Sequence, residues 1–418
     1  MNNTILWIAN RLRLSGSAGD NNSAGAQVAV IGVALAVVVM ELTLCIVSCF
    51  KTEIRNKITG FDSQITIDRP YDYSTGYQDE FITLNDSLLS IFVECGIKQQ
   101  PSLSLTLPAM IKTDENFSGV LFYGHDSYHD FSFEEGNIIS GVFPDYDNEG
   151  SENEIVISKA IANDLGLNVG EKLFVFFFVD NALKSRKATV AGIYESNLVE
   201  FDKTVIYSSL PFLQKVEGVD SLTGTHLDIS GLEFNDIDRF GQLLQDELYH
   251  AVQNGSLEKL YPVNTVLQSG AIYFNWLSLL DTNVIVIFVL MMAVALFTLV
   301  SSLFLIILDR ISMIGVFKSL GASNSMLSNL FLSIGLRLSV RGVIIGNIIG
   351  LSLCVVQLYT GFVKLDPQMY YLSEVPIRIN VLPLVILNIA VIMISAMILY
   401  IPSRTVAKID PTQSMRYE

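Results

Sequence analysis

The chain has 418 residues, of which 50% are hydrophobic, and its mean hydropathy of +0.45 is unusually high for a soluble protein of this length. Its 42 acidic residues outnumber its 26 basic residues, which gives a formal net charge of −16 at pH 7. This balance argues against nucleic acid as a ligand, because binding to phosphate groups needs a basic surface.

The negative charge is confined to one region. Residues 51–275 hold 34 Asp and Glu against 15 Lys and Arg, a net charge of −19, and the other residues hold 8 against 11, a net charge of +3. An acidic soluble domain is therefore joined to a nearly neutral membrane part, and its charge suits a basic partner. Only Cys95 of the four cysteines lies in this domain, so no disulfide can form within it.

Residues 1–25 are predicted to form a cytoplasmic amphipathic N-terminal segment. Residues 1–14 place apolar side chains around a helix that also carries Arg11 and Arg13, a pattern typical of a helix lying on a membrane surface. Residues 15–25 are rich in Gly, Ser and Asn, and we expect them to turn the chain into the bilayer.

Residues 26–58 are predicted as the first transmembrane helix and its stalk. The first half carries a stripe of small residues that lets another helix approach closely, formed by Gly25, Ala29, Gly32 and Ala36. In the second half, Glu41 lies near the middle of the bilayer, where a carboxylate must face protein or a wet cavity rather than lipid. The sequence leaves open whether Glu41 is functional or makes a structural hydrogen bond. Lys51, Arg55 and Lys57 follow at near-helical spacing, so we expect the helix to continue out of the membrane.

Residues 59–272 are predicted to form a periplasmic α+β domain, as one domain or two subdomains. Alternating apolar residues predict several strands, and one helix follows the third of them; the strands are 64–67, 103–107, 155–157, 173–179, 188–193 and 204–207, and the helix is 159–165. His125 and His129 are four residues apart, a spacing that can hold a metal ion on a helix. The surrounding sequence is typical of strand and loop, so we expect a solvated polar loop and no metal site.

Three further membrane spans complete the chain. They are predicted at 273–308, 327–360 and 381–402, with a cytoplasmic segment at 309–326, a periplasmic loop at 361–380 and a cytoplasmic tail at 403–418. Gly342, Gly346 and Gly350 form a second close-packing stripe in the third span. The sequence thus predicts an α-helical integral membrane protein with four transmembrane helices and a large extracytoplasmic α+β domain inserted between helices 1 and 2.

Basic residues set the predicted orientation, in which both termini are cytoplasmic. The short segments assigned to the cytoplasm carry Arg11, Arg13, Arg310, Lys318, Arg404, Lys408 and Arg416, whereas the short outer loop carries only Lys364 and Arg378.

The segment between the second and third spans, residues 309–322, has the pattern of a short interfacial helix that ends at glycine. The plain alternative is a connecting loop. Its sequence Ile314-Gly315-Val316-Phe317-Lys318-Ser319-Leu320-Gly321-Ala322 resembles the coupling helix of permeases in the lipoprotein-releasing and macrolide-exporter superfamily of ABC transporters.

Other parts of the chain resemble the same family. The external domain has its Ala-Ile-Ala, Leu-Gly and Val-Ala-Gly-Ile motifs at residues 160–162, 165–166 and 190–193, although Glu171 stands where Asp is usual. The outer loop carries Lys364-Leu365, Tyr370-Tyr371 and Val375-Pro376-Ile377, and the tail carries an Ile-Asp-Pro motif at 409–411 before Met415-Arg416-Tyr417-Glu418. The loop is most similar to that of the lipoprotein-releasing branch.

The resemblance implies a permease of the bacterial inner membrane that extracts lipoproteins and passes them to a periplasmic carrier. It implies a separate ABC ATPase dimer that binds ATP and Mg²⁺ and docks on Ile314, Gly315, Val316, Phe317, Lys318, Leu320 and Gly321. We also expect a second permease chain, either a copy or a paralogue, because four spans alone are too few to enclose a lipid-sized cavity. The acyl chains would lie between the outer halves of the first two spans, against Met40, Leu44, Val47, Phe274, Leu277 and Leu280.

The sequence carries no chemistry of its own for ATP hydrolysis. No GxxxxGK[ST] phosphate loop occurs, and neither GxSxG nor HExxH is present, so we expect a non-enzymatic subunit. The alternatives within the superfamily are export of drugs or peptides and regulation of a cell-wall hydrolase. An alternative from another class is a membrane-anchored receptor or adhesin, which needs no ATPase.

Overall fold

The protein is described here by a computed structural model, which covers residues 24–72, 77–113, 116–146, 148, 150–179 and 182–405. The predicted amphipathic segment and most of the C-terminal tail lie outside the described residues. In chain order the elements are α1 (Ala24–Phe61), β1 (Ile65–Asp68), β2 (Tyr71–Asp72), β3 (Tyr77–Gln78), β4 (Ile82–Thr83), α2 (Asp86–Glu94), β5 (Ser102–Lys112), β6 (Phe117–His125), α3 (Ser132–Gly136), β7 (Ile138–Gly141), β8 (Glu154–Ser158), α4 (Lys159–Leu165), β9 (Lys172–Val179), β10 (Ala182–Tyr194), α5 (Val199–Asp202), β11 (Val205–Ser209), α6 (Leu210–Glu217), β12 (Thr223–Gly224), β13 (His226–Ile229), α7 (Ile237–Gln253), β14 (Val263–Thr265), α8 (Val266–Ser269), α9 (Ala271–Asp309), α10 (Ile311–Ser319), α11 (Asn324–Thr360), α12 (Pro367–Tyr370) and α13 (Val381–Thr405).

Four of these helices, α1, α9, α11 and α13, are long and apolar enough to cross a membrane. The chain divides into two compact units. The membrane unit holds the described residues up to Lys51, Leu277–Lys364 and the described residues from Glu374 onward, and the external unit holds Thr52–Trp276 and Leu365–Ser373.

The core of the membrane unit draws apolar side chains from all four long helices and from α10. Helix α11 packs closely on α1, because a Cβ atom added at Gly342 would lie 2.6 Å from Val33 Cβ, and one added at Gly346 would lie 2.8 Å from Val37 Cβ. This confirms that the glycine stripe is a close-packing surface. Polar groups join α11 to α13, where Asn347 and Asn388 exchange two hydrogen bonds of 2.8 Å.

The small-residue stripe of α1 also packs against protein. Ala29 and Ala36 are buried in the same core, and Gly32 contacts Thr298 of α9 so closely that an added Cβ would lie 2.6 Å from its Oγ1. Ser302 of α9 donates a hydrogen bond to the carbonyl oxygen of Gly25. Helices α1 and α9 therefore meet along the half of α1 that the sequence marks as small.

The external unit is an α+β domain built on a ten-stranded mixed sheet. Nine strands follow the order β14-β1-β13-β5-β6-β11-β8-β10-β7, and β9 pairs with both β10 and β5. Strand β6 is parallel to β11, and β8 is parallel to β10, whereas the other pairs are antiparallel. Each strand predicted from alternation falls on an observed strand.

The β8–α4 unit illustrates why the local sequence folds as it does. Strand β8 is buried along nearly its whole length, which suits its three consecutive apolar residues at 155–157. Ser158 then caps α4 by accepting a hydrogen bond from the Ile161 amide, and Gly166 ends the helix with φ of +67°. The predicted helix at 159–165 is confirmed with the same bounds.

Candidate functional site

The predicted coupling segment forms the nine-residue helix α10 between α9 and α11. It ends in a Schellman motif, in which the Ala322 amide donates to the Phe317 carbonyl at 2.9 Å and the Gly321 amide donates to the Lys318 carbonyl at 3.0 Å. Gly321 adopts φ of +90°, a conformation that favours glycine, and Ser323 then caps α11 by accepting from the Met326 amide. These bonds fix a sharp turn that the glycine and serine specify.

The side chains of α10 divide between two faces. Ile314 and Gly315 are buried, and Phe317 packs against the core from a half-buried position. Val316 is 50% exposed and Leu320 is 78% exposed, and the two lie four residues apart on one side. Of the seven residues predicted for ATPase coupling, the structure therefore places Val316, Leu320 and Gly321 at the surface, and Lys318 is half-buried.

The residues predicted to bind acyl chains do not form one open surface in this conformation. Met40 is fully buried in the core of the membrane unit, and Leu277 is also buried. Leu44, Val47 and Leu280 are half-buried. Phe274 belongs to the external unit, where its ring lies 5.7 Å from that of Phe234. The sequence predicted Met40 as part of the acyl-chain site because it shares a helical face with Leu44, and in this structure neighbouring helices pack over its side chain.

An ion pair joins α1 and α9 beside these residues. Lys51 Nζ lies 2.6 Å from both carboxylate oxygens of Asp281, and the Lys51 side chain is 15% exposed. The end of the first span and the start of the second are therefore tied together by this pair, which the sequence alone did not indicate.

Glu41 faces protein, as the cost of placing a carboxylate in lipid requires. It is 1% exposed and lies against Gly350, where no side chain has room. Neither carboxylate oxygen has a hydrogen-bond partner within the described residues, so the structural hydrogen bond considered from sequence is not found there. Cys45 and Cys354 follow one turn later on the same two helices and share a small buried cluster in which their side chains are hydrogen-bonded.

Lys57 holds together three segments of the external unit. Its ammonium group donates to the carbonyl oxygen of Ser196 at 2.6 Å and to that of Tyr371 at 2.9 Å. Asp202 orders the segment that contains Ser196 by accepting hydrogen bonds from the hydroxyl of Ser196 and the amide of Asn197. Lys57 therefore anchors the connection between α11 and α13 to the stalk end of α1. The sequence placed Lys57 on the stalk but carried no sign of these partners.

His125 and His129 are not in a solvated loop, so that prediction is wrong. His125 is 6% exposed, and its ring stacks on that of His129 with a centroid distance of 3.9 Å. The aromatic rings of Tyr123 and Phe131 and the Glu134 side chain of α3 pack against them, and no periodic pattern in the sequence marks this cluster. Among the described residues, no group of three or more His, Cys, Asp or Glu is arranged to hold a metal ion.

Comparisons with known proteins agree with this architecture. Residues 285–411 match the family described as FtsX-like permease C-terminal, and residues 27–230 match the MacB-like periplasmic core domain. Over 412 residues the chain is 22% identical to the lipoprotein-releasing system transmembrane protein LolC of Xylella fastidiosa, with 93% of each chain covered. It is 24% identical to LolE of Haemophilus influenzae, over 63% of this chain and 64% of that protein.

Two solved structures are similar to part of the chain. One is the extracellular domain of the noncanonic ABC-type transporter YknZ from Gram-positive bacteria, with a TM-score of 0.35 and 15% identity, which covers 49% of this chain and 100% of that one. The other is the periplasmic region of MacB from Actinobacillus actinomycetemcomitans, with a TM-score of 0.32 and 13% identity, which covers 50% of this chain and 92% of that one. The matched family regions together span both units, and the chain belongs to the superfamily of FtsX-like and MacB-like ABC transporter permeases.

Proposed function

We propose that this chain is the permease subunit of an ABC transporter that extracts lipoproteins from the inner membrane and passes them to a periplasmic carrier. The observation that carries the proposal is the exposed apolar face of α10, held at a sharp turn by the Schellman motif. It occurs in a chain that is similar, over nearly its whole length, to proteins named for lipoprotein release.

In this proposal a separate ATPase dimer binds ATP and Mg²⁺ and docks on the Val316 and Leu320 face. Closure of the dimer displaces α10, whose Ile314 is fully buried in the core shared by α1, α9, α11 and α13. Because protein cores are close-packed, a displacement at α10 is passed to the helices around it. No covalent step takes place in this chain.

The lipid cleft lies beside the outer halves of α1 and α9 in our proposal. Leu44, Val47 and Leu280 are the predicted residues that remain partly accessible there, and opening of the Lys51–Asp281 pair would widen the gap between the helices. Removing acyl chains from the bilayer costs about 0.8 kcal/mol per methylene, so an apolar site is needed to receive them. Met40 would join this site only in a conformation in which the core around it has opened.

A second permease chain completes the transporter in this proposal. Helix α9 is the least buried of the four spans, and its exposed side chains are large and apolar. Such a surface suits lipid or another membrane helix. The external unit would lie in the periplasm and both termini in the cytoplasm, in keeping with the distribution of basic residues.

The match to the MacB-like periplasmic core domain favours one second candidate, a permease that exports drugs or peptides. The two functions differ in the need for a lipid anchor. A lipoprotein-releasing permease handles acylated substrate only, whereas a peptide exporter handles the same polypeptide without its lipid.

The proposal is tested by Leu320→Asp in the complete transporter, reconstituted with its ATPase and an acylated substrate. The aspartate places a charge on the apolar docking face, so we expect loss of ATPase docking and of lipoprotein release while membrane insertion is unchanged. Leu320→Met, which keeps an apolar side chain of similar volume, is the matched control and should retain both activities. Equal release by the two variants would contradict the docking role, and release of non-acylated substrate would favour the exporter.

A further inference from the structure

The buried histidine pair of the external unit has no part in the proposed transport cycle. His129 Nε2 lies 3.2 Å from Glu134 Oε1, and the two side chains are only 9% and 2% exposed. The other oxygen of Glu134 and Nδ1 of His125 have no hydrogen-bond partner within the described residues. Titratable groups so deeply buried are costly unless they are paired, and such clusters concentrate at functional positions.

The helix that supplies Glu134 also touches the stalk. Glu134 lies on the short helix α3, and the next residue toward its N-terminus, Phe133, packs on the end of α1. Its ring covers Gly60 so closely that no Cβ fits there, and its centroid lies 6.2 Å from that of Phe61. The position of α3 is therefore fixed from two sides, by Glu134 on His129 and by Phe133 on the stalk.

We propose that His125, His129 and Glu134 form a proton-binding site whose occupancy by a single proton holds α3 against the stalk end of α1. The proton resides on His129 and is shared with Glu134 through their hydrogen bond. Loss of this proton leaves the buried Glu134 carboxylate without a cationic partner, and α3 then loosens from Gly60 and Phe61.

The surroundings favour one proton and oppose a second. Burial alone lowers the pKa of His129, but the hydrogen bond to Glu134 and the charges of nearby carboxylates outweigh it, so this pKa lies above its ordinary value of 6.5. Burial and the charge of His129 hold the pKa of His125 well below 6.5. The charged and titratable groups that face the site are Asp126 and Asp130 from the turn, Tyr123 from β6, Asp228 and His226 from β13, and Tyr146, Tyr194 and Tyr207 from the aromatic side.

The sign of the effect follows from these directions. Because the pKa of His129 is higher in the folded than in the unfolded chain, its contribution to stability is fully present below pH 6.5 and is lost as the pH rises through the folded value. His125 acts in the opposite sense. Because its pKa is lower in the folded than in the unfolded chain, it destabilises the fold as the pH falls below 6.5. The packing of α3 against the end of α1 should therefore weaken as the pH rises above 6.5.

Hydrogen exchange of the full chain in nanodiscs tests this proposal. Exchange of the peptide covering residues 130–141, corrected for the intrinsic pH dependence, is measured from pH 6 to 9. For each unit by which the pKa of His129 is higher in the folded than in the unfolded chain, deprotonation should lower the protection of these amides against exchange about tenfold. We expect a loss of this order in the native chain, with its midpoint above pH 6.5.

Glu134→Gln and Glu135→Gln form a matched pair, since both remove one carboxylate from α3 but Glu135 is exposed. Glu135→Gln should reproduce the native curve. Glu134→Gln should lower its midpoint and reduce the loss of protection, because only the more distant carboxylates then stabilise charged His129. A flat native curve, or an unchanged midpoint in Glu134→Gln, would overturn the proposal. If Glu134→Gln does not fold, exchange at Cε1 of the histidines in the native chain decides: titration of His129 at the midpoint of the α3 curve supports the proposal, and titration elsewhere overturns it.

Discussion

Substitution of Gly346 by alanine should separate α1 from α11. The added Cβ would lie 2.8 Å from Val37 Cβ and 2.9 Å from the carbonyl oxygen of Ala34, a backbone atom that cannot rotate away. Carbon atoms pack best at about 3.5–4.0 Å, so the two helices must move apart by about 1 Å at this point. Overpacking of this kind costs about 1–3 kcal/mol, while the better helix propensity of alanine returns about 1 kcal/mol.

Gly335→Ala is the matched control on the same helix. Its Cβ would meet the Cδ1 atom of Leu399 at 2.9 Å, and the flexible end of a leucine can move aside. Both variants gain the same helix propensity, so this gain cancels in the difference between them. What remains is the clash of Gly346→Ala with α1 less the softer contact of Gly335→Ala with Leu399.

The native thiols of Cys45 and Cys354, which are in contact one turn beyond Glu41 and Gly350, supply the assay. We expect Gly346→Ala to lower the yield of a short thiol crosslink between them and the unfolding temperature, whereas Gly335→Ala leaves the crosslink yield as in the native chain. Equal crosslink yields and equal unfolding temperatures in the two variants would refute the packing argument.

Three further substitutions test the turn, the anchored loop and the ion pair. Gly321→Ala forces alanine to φ of +90°, which costs about 1–2 kcal/mol, so stimulation of the ATPase should fall. It should fall less in Gly321→Asn, because asparagine tolerates this conformation, and equal activity of both variants would count against a required left-handed turn. Lys57→Met removes two hydrogen bonds and should increase hydrogen exchange in residues 365–373, and an unchanged exchange rate would show that other contacts hold this loop. Asp281→Asn breaks the pair with Lys51, and because this pair is partly exposed, stability should change by less than about 1 kcal/mol. A cysteine introduced at Leu44 should become more reactive toward thiol reagents, and no increase in its reactivity would argue against widening of the gap between α1 and α9.

The sequence predicted the elements whose signals are local. Uninterrupted apolar runs marked the helices that carry the spans, alternation marked the strands, and Gly321 marked the end of α10. Each of these features depends on a few neighbouring residues, because helix length, strand pleating and left-handed backbone are properties of the chain itself.

The features that it missed are those in which distant residues meet. Met40 and Leu44 share a stripe of α1, yet one is fully buried and the other is half-buried, because the neighbouring helices cover the stripe unevenly. The bonds of Lys57 to the carbonyls of Ser196 and Tyr371 span 139 and 314 residues along the chain. The burial of His129 depends on Glu134 of a five-residue helix that has no strong periodic signal of its own.

The interlocking of α1 and α11 also limits how this protein can diverge. Three successive turns pair a larger residue with a glycine, Val33 with Gly342, Val37 with Gly346 and Glu41 with Gly350. A larger residue at one of these glycines is tolerated only when the residue opposite it on α1 is replaced by a smaller one. Evolutionary change at this interface therefore requires two linked substitutions. Descendants of this sequence should therefore change these positions as pairs, and a shuffled chain that joins α1 of one homologue to α11 of another should fail wherever both parents place bulk at the same level.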